Sequence, residues 1–348
     1  MPGFGAIRAR RFEARFGTLG AAWKASPATL RASGLSEKLV AALDDKRRRM
    51  DLAAEVERIR SSGTTLYALP NPSYPWRLAE IYSPSMVLYV RGGIIPDDDW
   101  AVGMVGTRRC TPYGRQAAES LASDLARNGL TIVSGLAVGI DAFAHQAALD
   151  AGGRSIAVLG SGVDQIYPYQ HRKLAERMIE RGALVSEYPL GVPPDRRNFQ
   201  QRNRIITGLS RGLIMMEAGI KSGAMISAGF AAEQGRDLMV VPGKITDLRS
   251  QGTNHLLKQG ATLVTSAEDV LQELNIQMVA QKQEARLLVP SDPAEAALLG
   301  QLSSDPLHVD ELVRATDLPI HLVSSTLTMM ELKGMISNVG GQQYVLAR

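Results

Sequence analysis

From residue 61 to about residue 285 the chain alternates two patterns. Short runs dense in aliphatic and β-branched residues recur: MVLYVRG (86–92), WAVGMVG (100–106), LTIVSG (130–135), SIAVLG (155–160), ALVSEY (183–188), GLIMMEA (212–218), DLMVVPG (237–243) and ATLVTS (261–266). Stretches with helical spacing of apolar residues separate most of them, such as YGRQAAESLASDLARNG and GIDAFAHQAALDAGG. Near-continuous apolar strands alternating with helices predict a mostly parallel sheet covered on both faces. With right-handed crossovers this is an α/β, doubly wound, extended Rossmann-like domain.

Different patterns flank it. Residues 1–60 read as short helices. Two glycine turns, PGFGAIRA (Pro2 to Ala9) and ASGLSEKLVAAL (Ala32 to Leu43), each lead into helix-period apolar residues. This is the layout of a helix-hairpin-helix repeat, whose exposed turn N–H groups can grip a phosphate. A small helical domain that only caps its neighbour fits the same residues. The first hairpin starts at Met1 with no helix ahead of it, the pattern expected of a shortened N-terminus. Residues 276–292, polar and closing with a proline, read as a linker. Beyond it AEAALLGQL, HVDELVRATD and PIHLVSSTLTMMELKG predict three helices, and ISNVGGQQYVLA predicts a hairpin turning at Gly340-Gly341. Three helices and a hairpin make a winged helix. The expected domains are therefore 1–60, 61–285 and 286–348.

Composition narrows the class. With 348 residues, 45% of them hydrophobic and 21% charged, the chain can bury a sizeable core. It has no apolar run long enough to span a membrane and no secretory signal at its start. A single cysteine, Cys110, excludes a disulfide framework and a cysteine-rich zinc site, and fits a reducing cytoplasm. The net charge of +4 is unevenly spread: +6 over residues 1–60, +2 over 61–289 and −4 over 290–348. The basic end can face phosphates, whereas the acidic end is repelled by them.

In a doubly wound sheet, ligands bind beyond the carboxyl ends of the strands. Six loops at those ends carry glycines, hydroxyls and bases together. They offer Gly106, Gly135, Gly139 and Gly223 for close backbone approach, and Thr107, Ser134 and Ser222 as hydroxyls. Arg108, Arg109, Arg202, Arg204, Lys221 and Lys244 supply charge-assisted bonds. Any one of these could be a surface charge or an ordinary strand end; six converging loops point to a phosphate-binding rim. Catalytic candidates are few. Asp141 and His145, one helical turn apart, read as a polar pair supporting a loop. Glu217 could assist hydrolysis or simply bond loop N–H groups. No metal-ligand spacing, Walker loop or nucleophile elbow is present, so no metal, cofactor or catalytic residue is expected. Cys110 reads as a bystander.

The segments VGTRRCTPYG, SGLAVGIDAFAHQAAL, SIAVLGSGVDQIYP, LVSEYPLG, FQQRNRIITGLSRG, EAGIKSGAMISA, AAEQGRDLMVVPG and QGTNHLLKQGA occur in that order. Together they resemble the DprA/Smf family of DNA-processing proteins over roughly residues 64–270. The flanks are similar to members carrying an N-terminal SAM-like domain and a C-terminal winged helix. The resemblance implies a non-catalytic protein that binds single-stranded DNA without base specificity. It also implies protection of the strand, delivery to RecA during natural transformation, and a homodimer formed through the Rossmann-like domain. The family's pocket arginine matches Arg108; Asn203, Tyr169, Arg172 and Lys173 join the expected DNA contacts. Three positions depart from the family pattern: Val138 and Tyr169 stand where bases are common, and Gln200 where proline is usual. Arg172 or Lys173 could replace the lost base, or Tyr169 could stack on a nucleobase. The helix from about Pro319 to Lys333 has Lys333 as its only base beside Glu331, so the winged helix is expected to bind protein or modulate assembly rather than read DNA. The alternative function is a nucleotide phosphoribohydrolase of the lysine-decarboxylase-like type built around Glu217. Against it, the Pro-Gly-Gly-x-Gly-Thr turn of those enzymes is missing at the matching place.

Overall fold

In a computed structural model, residues 6–275, 293–302, 306–332 and 335–346 are described. The chain divides into two compact units, Met1–Leu274 and Asn275–Arg348. The 276–292 linker expected from the sequence lies outside the described residues, as do the first residues of the PGFGAIRA turn.

The first unit is built on a nine-stranded sheet. Its strands are β1 (Thr64–Ala68), β2 (Val87–Gly92), β3 (Ala101–Val105), β4 (Thr131–Ser134), β5 (Ser155–Val158), β6 (Gly182–Ser186), β7 (Gly212–Met215), β8 (Asp237–Val240) and β9 (Thr262–Leu263), in the order β1-β2-β6-β5-β4-β3-β7-β8-β9. Strands β3 to β9 pair in parallel, while β1–β2 and β2–β6 pair antiparallel. All eight predicted runs form strands; β1 is the addition, its alternation too weak in TTLYA to stand out. Every residue of β3 to β7 is buried. Alternate side chains feed opposite faces: Ile156 and Val158 enter one core with Ile205 and Leu213, and Ala157 and Leu184 enter the other with Leu149 and Met178.

The order places the site. From β3 the chain steps outward through β4, β5 and β6, then returns along the helix Arg196–Leu209 to lay β7 on the other side of β3. The direction of winding reverses between β3 and β7, and diverging crossovers open a crevice at their carboxyl ends.

Residues 6–61 form five helices, Ala6–Phe16, Leu19–Lys24, Pro27–Ala32, Glu37–Arg49 and Leu52–Ser61. Thr18, Ser26 and Asp51 cap three of them, and Phe12, Ala22, Leu30, Val40 and Leu43 fill their core. The boundary read near residue 60 is not drawn by the division into compact units. Ile59 of the last helix packs into the sheet's second core, and Arg58 Nη2 donates to Leu190 O at 3.4 Å.

The second unit holds the helices Pro293–Leu299, Val309–Thr316 and Ile320–Leu332 with a three-stranded sheet. Its strands are β10 (Leu307–His308), β11 (Ile336–Gly340) and β12 (Gln343–Leu346), in the order β10-β12-β11. The predicted hairpin turns at Gly340, Gly341 and Gln342, all with positive φ. Leu298, Leu312, Val323, Leu327 and Met330 form its core. No helix among the described residues is long and apolar enough to cross a membrane.

Candidate nucleic-acid interface

The crevice at the β3/β7 switch is a cleft of about 1100 Å³. Its floor is Gly106, Thr107, Arg108 and Arg109 after β3, with Ala137 and Asp141 after β4 and Tyr167 after β5. One wall is the helix Arg196–Leu209, presenting Arg196, Phe199, Arg202 and Asn203. The other is the loop after β7, with Ile220, Lys221, Ser222 and Gly223 leading into the helix Ala224–Glu233.

The turn after β3 is packed too tightly for side chains at its hinges. The N–H of Thr107 donates to Glu217 O at 2.6 Å, and Ile140 N donates back to Thr107 O at 3.3 Å. A Cβ on Gly106 would sit 2.6 Å from Ile140 Cγ1, and one on Gly139 (φ +84°) 2.5 Å from Thr107 O. Thr107 Oγ1 accepts from Arg109 N at 3.2 Å. Arg108 and Arg109 thus project from a fixed backbone and are both exposed.

Beneath them lies a buried polar layer. Arg202, 4% exposed, lies over Gly135, where a Cβ would coincide with the guanidinium. Its Nη1 donates to Val158 O and its Nη2 stands 3.9 Å from Asp141 Oδ2. Asp141 Oδ2 accepts from Gly135 N at 3.1 Å and Ala137 N at 3.4 Å. Burial pushes the Asp141 carboxyl up, with Arg202 opposing it; burial draws Arg202 down to about 10, with Asp141 opposing. His145 is fully buried, and its Nδ1 lies 2.7 Å from Ser155 Oγ, which itself donates to Ile132 O at 2.8 Å. Ser155 therefore accepts from Nδ1–H, which leaves Nε2 to accept Leu136 N–H at 3.3 Å. Burial, then the charge of Arg202, holds His145 down to about 3. Leu136 adopts φ +58°, and its carbonyl is bonded by His171 Nδ1 at 2.9 Å. The Asp141–His145 pair thus shapes the loop after β4, as its spacing suggested.

Glu217 is equally committed. Its Oε2 accepts from Thr111 N at 2.8 Å and its Oε1 from Thr111 Oγ1 at 2.5 Å, while Thr111 Oγ1 caps the helix Pro112–Arg127 through Gly114 N. At 2% exposure, Glu217 is sealed beneath the turn after β3 and committed to the helix cap. Burial, then the nearby Glu217 charge, raises the Cys110 thiol, which disfavours a reactive thiolate.

The residues expected from the sequence separate into four groups. Gly106, Thr107, Arg108, Arg109, Asn203, Lys221, Ser222 and Gly223 line the cleft. Ser134, Gly135 and Gly139 lie behind the lining, Ser134 fully buried and donating to Met104 O, while Arg202 reaches the lining but is 4% exposed with its guanidinium held as described. Arg204 turns away, two residues past Arg202 and so on another face of the helix, to pair with Glu187. Tyr169, Arg172, Lys173 and Lys244 lie outside the cleft lining; Tyr169 is 71% exposed with the Arg172 guanidinium 4.5 Å over its ring. Two aromatic rings were missed. Tyr167 and Phe199 stand 5.6 Å apart by centroid, and Arg108 lies 5.8 Å from the Phe199 ring. Their signal was Phe199 three residues before Arg202, and so on the same helix face.

The chain as a whole has counterparts among known proteins. Residues 65–275 match the family model "DNA recombination-mediator protein A" and residues 282–342 the "DprA winged helix domain". Protein Smf of Synechocystis is 35% identical, covering 98% of this chain and 95% of its own. DNA processing protein DprA of Streptococcus pneumoniae is 42% identical over 60% of this chain and 73% of its own. The X-ray structure of the Streptococcus pneumoniae DprA superposes with a TM-score of 0.68 at 35% identity, covering 77% of this chain and 91% of that one. The DNA processing protein A of Helicobacter pylori, solved for its single-stranded DNA binding mode, gives 0.55 at 33% identity, covering 61% and 97%. By its cleft, its sheet and these matches, the chain belongs to the DNA recombination-mediator protein A family, also known as DprA/Smf.

Proposed function

We propose that the cleft holds the backbone of single-stranded DNA without reading its sequence, and that the protein protects this strand and passes it to RecA. The observation that carries the reading is the pairing of projecting cations with aromatic rings in one groove. Arg108, Arg109, Arg196 and Lys221 are exposed there, and Asp141, the acidic residue of the lining, is buried. Cations follow phosphates, and rings such as Tyr167 and Phe199 stack on any base. The reported single-stranded DNA binding of the Helicobacter pylori relative agrees with it. Tyr169, Arg172, Lys173 and Lys244 extend the contact beyond the cleft. A homodimer through the sheet-containing unit and a cytoplasmic location complete the proposal.

Binding without catalysis is the second part of the reading. Both Glu217 oxygens bond Thr111, Asp141 bonds backbone N–H groups, and His145 bonds Leu136 N–H and the Ser155 hydroxyl. The test is a gel-shift series with single- and double-stranded DNA, wild type and Arg108→Glu, at two salt concentrations. The variant should lose most single-strand binding and show a flatter salt dependence. Normal binding by Arg108→Glu would remove the cleft from consideration.

A further inference from the structure

Among the described residues, the three most exposed aliphatic side chains are Ile245 (88%), Leu248 (72%) and Ile220 (58%). All three lie on two touching loops, those after β7 and β8. Gly252 N donates to Ala218 O at 2.8 Å, and a Cβ on Gly219 would meet Leu248 O at 3.1 Å. Isolated exposed aliphatics are ordinary; three at one place mark a contact surface.

The loop that carries two of them is fixed rather than slack. Asn254 clamps Gly243 through both backbone groups, at 3.3 and 3.0 Å. Asp247 N donates to Lys244 O at 3.1 Å, and Ser250 N to Asp247 O at 3.0 Å. Arg249 donates to both Asp247 oxygens, at 3.0 and 2.9 Å, neutralising the one acid of the loop. Lys244 on this loop and Lys221 on its neighbour are exposed. The patch is continuous with the cleft, because Ile220 and Lys221 belong to both.

We propose that Ile245 and Leu248, with Ile220, Lys221 and Lys244, form a second nucleotide subsite that receives the bases and phosphates of a single strand leaving the cleft. The assignment rests on the reading of the cleft as a single-strand site. A protein partner would need carboxylates to meet the lysines. A continuing strand supplies phosphates to the cations and apolar base faces to the aliphatics, as Leu and Ile contact base steps elsewhere. The subsite lengthens the footprint and adds a base-dependent contribution that the cations alone lack.

The experiment is fluorescence anisotropy with labelled oligothymidylates of increasing length, from about 4 nucleotides upward. It compares wild type, Ile245→Ser/Leu248→Ser and Arg108→Glu, with melting temperatures to confirm intact folding; both serine positions are exposed. The shortest strands should bind the wild type and the double-serine variant equally. Longer strands should bind wild type more tightly, and the variant should lose roughly ten-fold of that gain. Abasic residues in the added length should remove the gain from wild type. A length-dependent gain that survives both the serine substitutions and the abasic strand overturns the subsite. So does a variant that matches wild type at every length and fails only in passing the strand to RecA, which would make the patch a protein contact. Arg108→Glu that binds the shortest strands normally sinks the cleft reading instead.

Discussion

The guanidinium of Arg202 rests directly on the backbone of Gly135, in the space a Cβ would fill. This one contact joins the helix wall of the cleft to the loop after β4, and it keeps Asp141 beside its counter-charge. Gly135→Ala should therefore push Arg202 aside and destabilise the unit by about 1–3 kcal/mol, the usual cost of overpacking. Single-strand affinity should fall with it, although residue 135 is buried. Denaturant unfolding and anisotropy on the same preparation would check both.

Arg108 and Phe199 share the cleft, and on the proposed single-strand reading they would act by different physics. Phe199→Ala should weaken single-strand binding by about 1–3 kcal/mol and leave its salt dependence unchanged, because stacking releases no counterions. Arg108→Ala should lower the salt slope by about 0.7, the value of one phosphate contact on a single strand. Titrations at several salt concentrations separate the two.

His145 sets an acid sensitivity. Its ring is held at about 3 in the fold against an ordinary 6.5, so the unfolded chain binds the extra proton more readily between those values. The stability it contributes is complete above pH 6.5 and falls as pH drops towards 3, by at most about 1.4 kcal/mol per pH unit. Asp141, whose carboxyl is raised, acts in the opposite sense at the acid end. His145→Gln removes the histidine contribution alone. The variant should be less stable at pH 7, where its hydrogen bonds are compromised, but should lose less stability than wild type between pH 6.5 and pH 4. Equal slopes would contradict the buried neutral ring.

Glu217 is a bracket for Thr111. Glu217→Ala should cost about 1.5–3 kcal/mol, as expected for hydrogen bonds to a charged group, by freeing the helix cap and the turn after β3. Wild type incubated with nucleoside monophosphates should release no free base. Base release that Glu217→Ala abolished would revive the phosphoribohydrolase alternative.

Removal of residues 290–348 should leave single-strand affinity unchanged at moderate salt. That segment carries a net −4, and the exposed face of the helix Ile320–Leu332 presents Ile320, Leu322 and Met329 rather than cations. A large loss of affinity in the truncated chain would show that the winged helix holds DNA after all.

The sequence by itself determined the sheet, the helices that cover it and the rim on which the site lies. Buried parallel strands leave near-continuous apolar runs, and the glycine-rich strand ends mark where chain reversals approach a ligand. The same reasoning found Arg108, whose projection follows from the turn, and read Asp141 and His145 as supports. Only the tertiary structure decided which bases face the groove. Arg202 and Arg204 are both arginines of one helix, yet one is sealed over Gly135 and the other pairs with Glu187. Their fates depend on helix rotation against β5 and on a carboxylate from the segment after β6, neither visible in local sequence. The aromatic pair Tyr167–Phe199 and the patch of Ile220, Ile245 and Leu248 were hidden for the same reason. Each is assembled from segments separated along the chain: Tyr167 after β5 meets Phe199 on the helix before β7, and the loops after β7 and β8 meet because those strands are neighbours in the sheet.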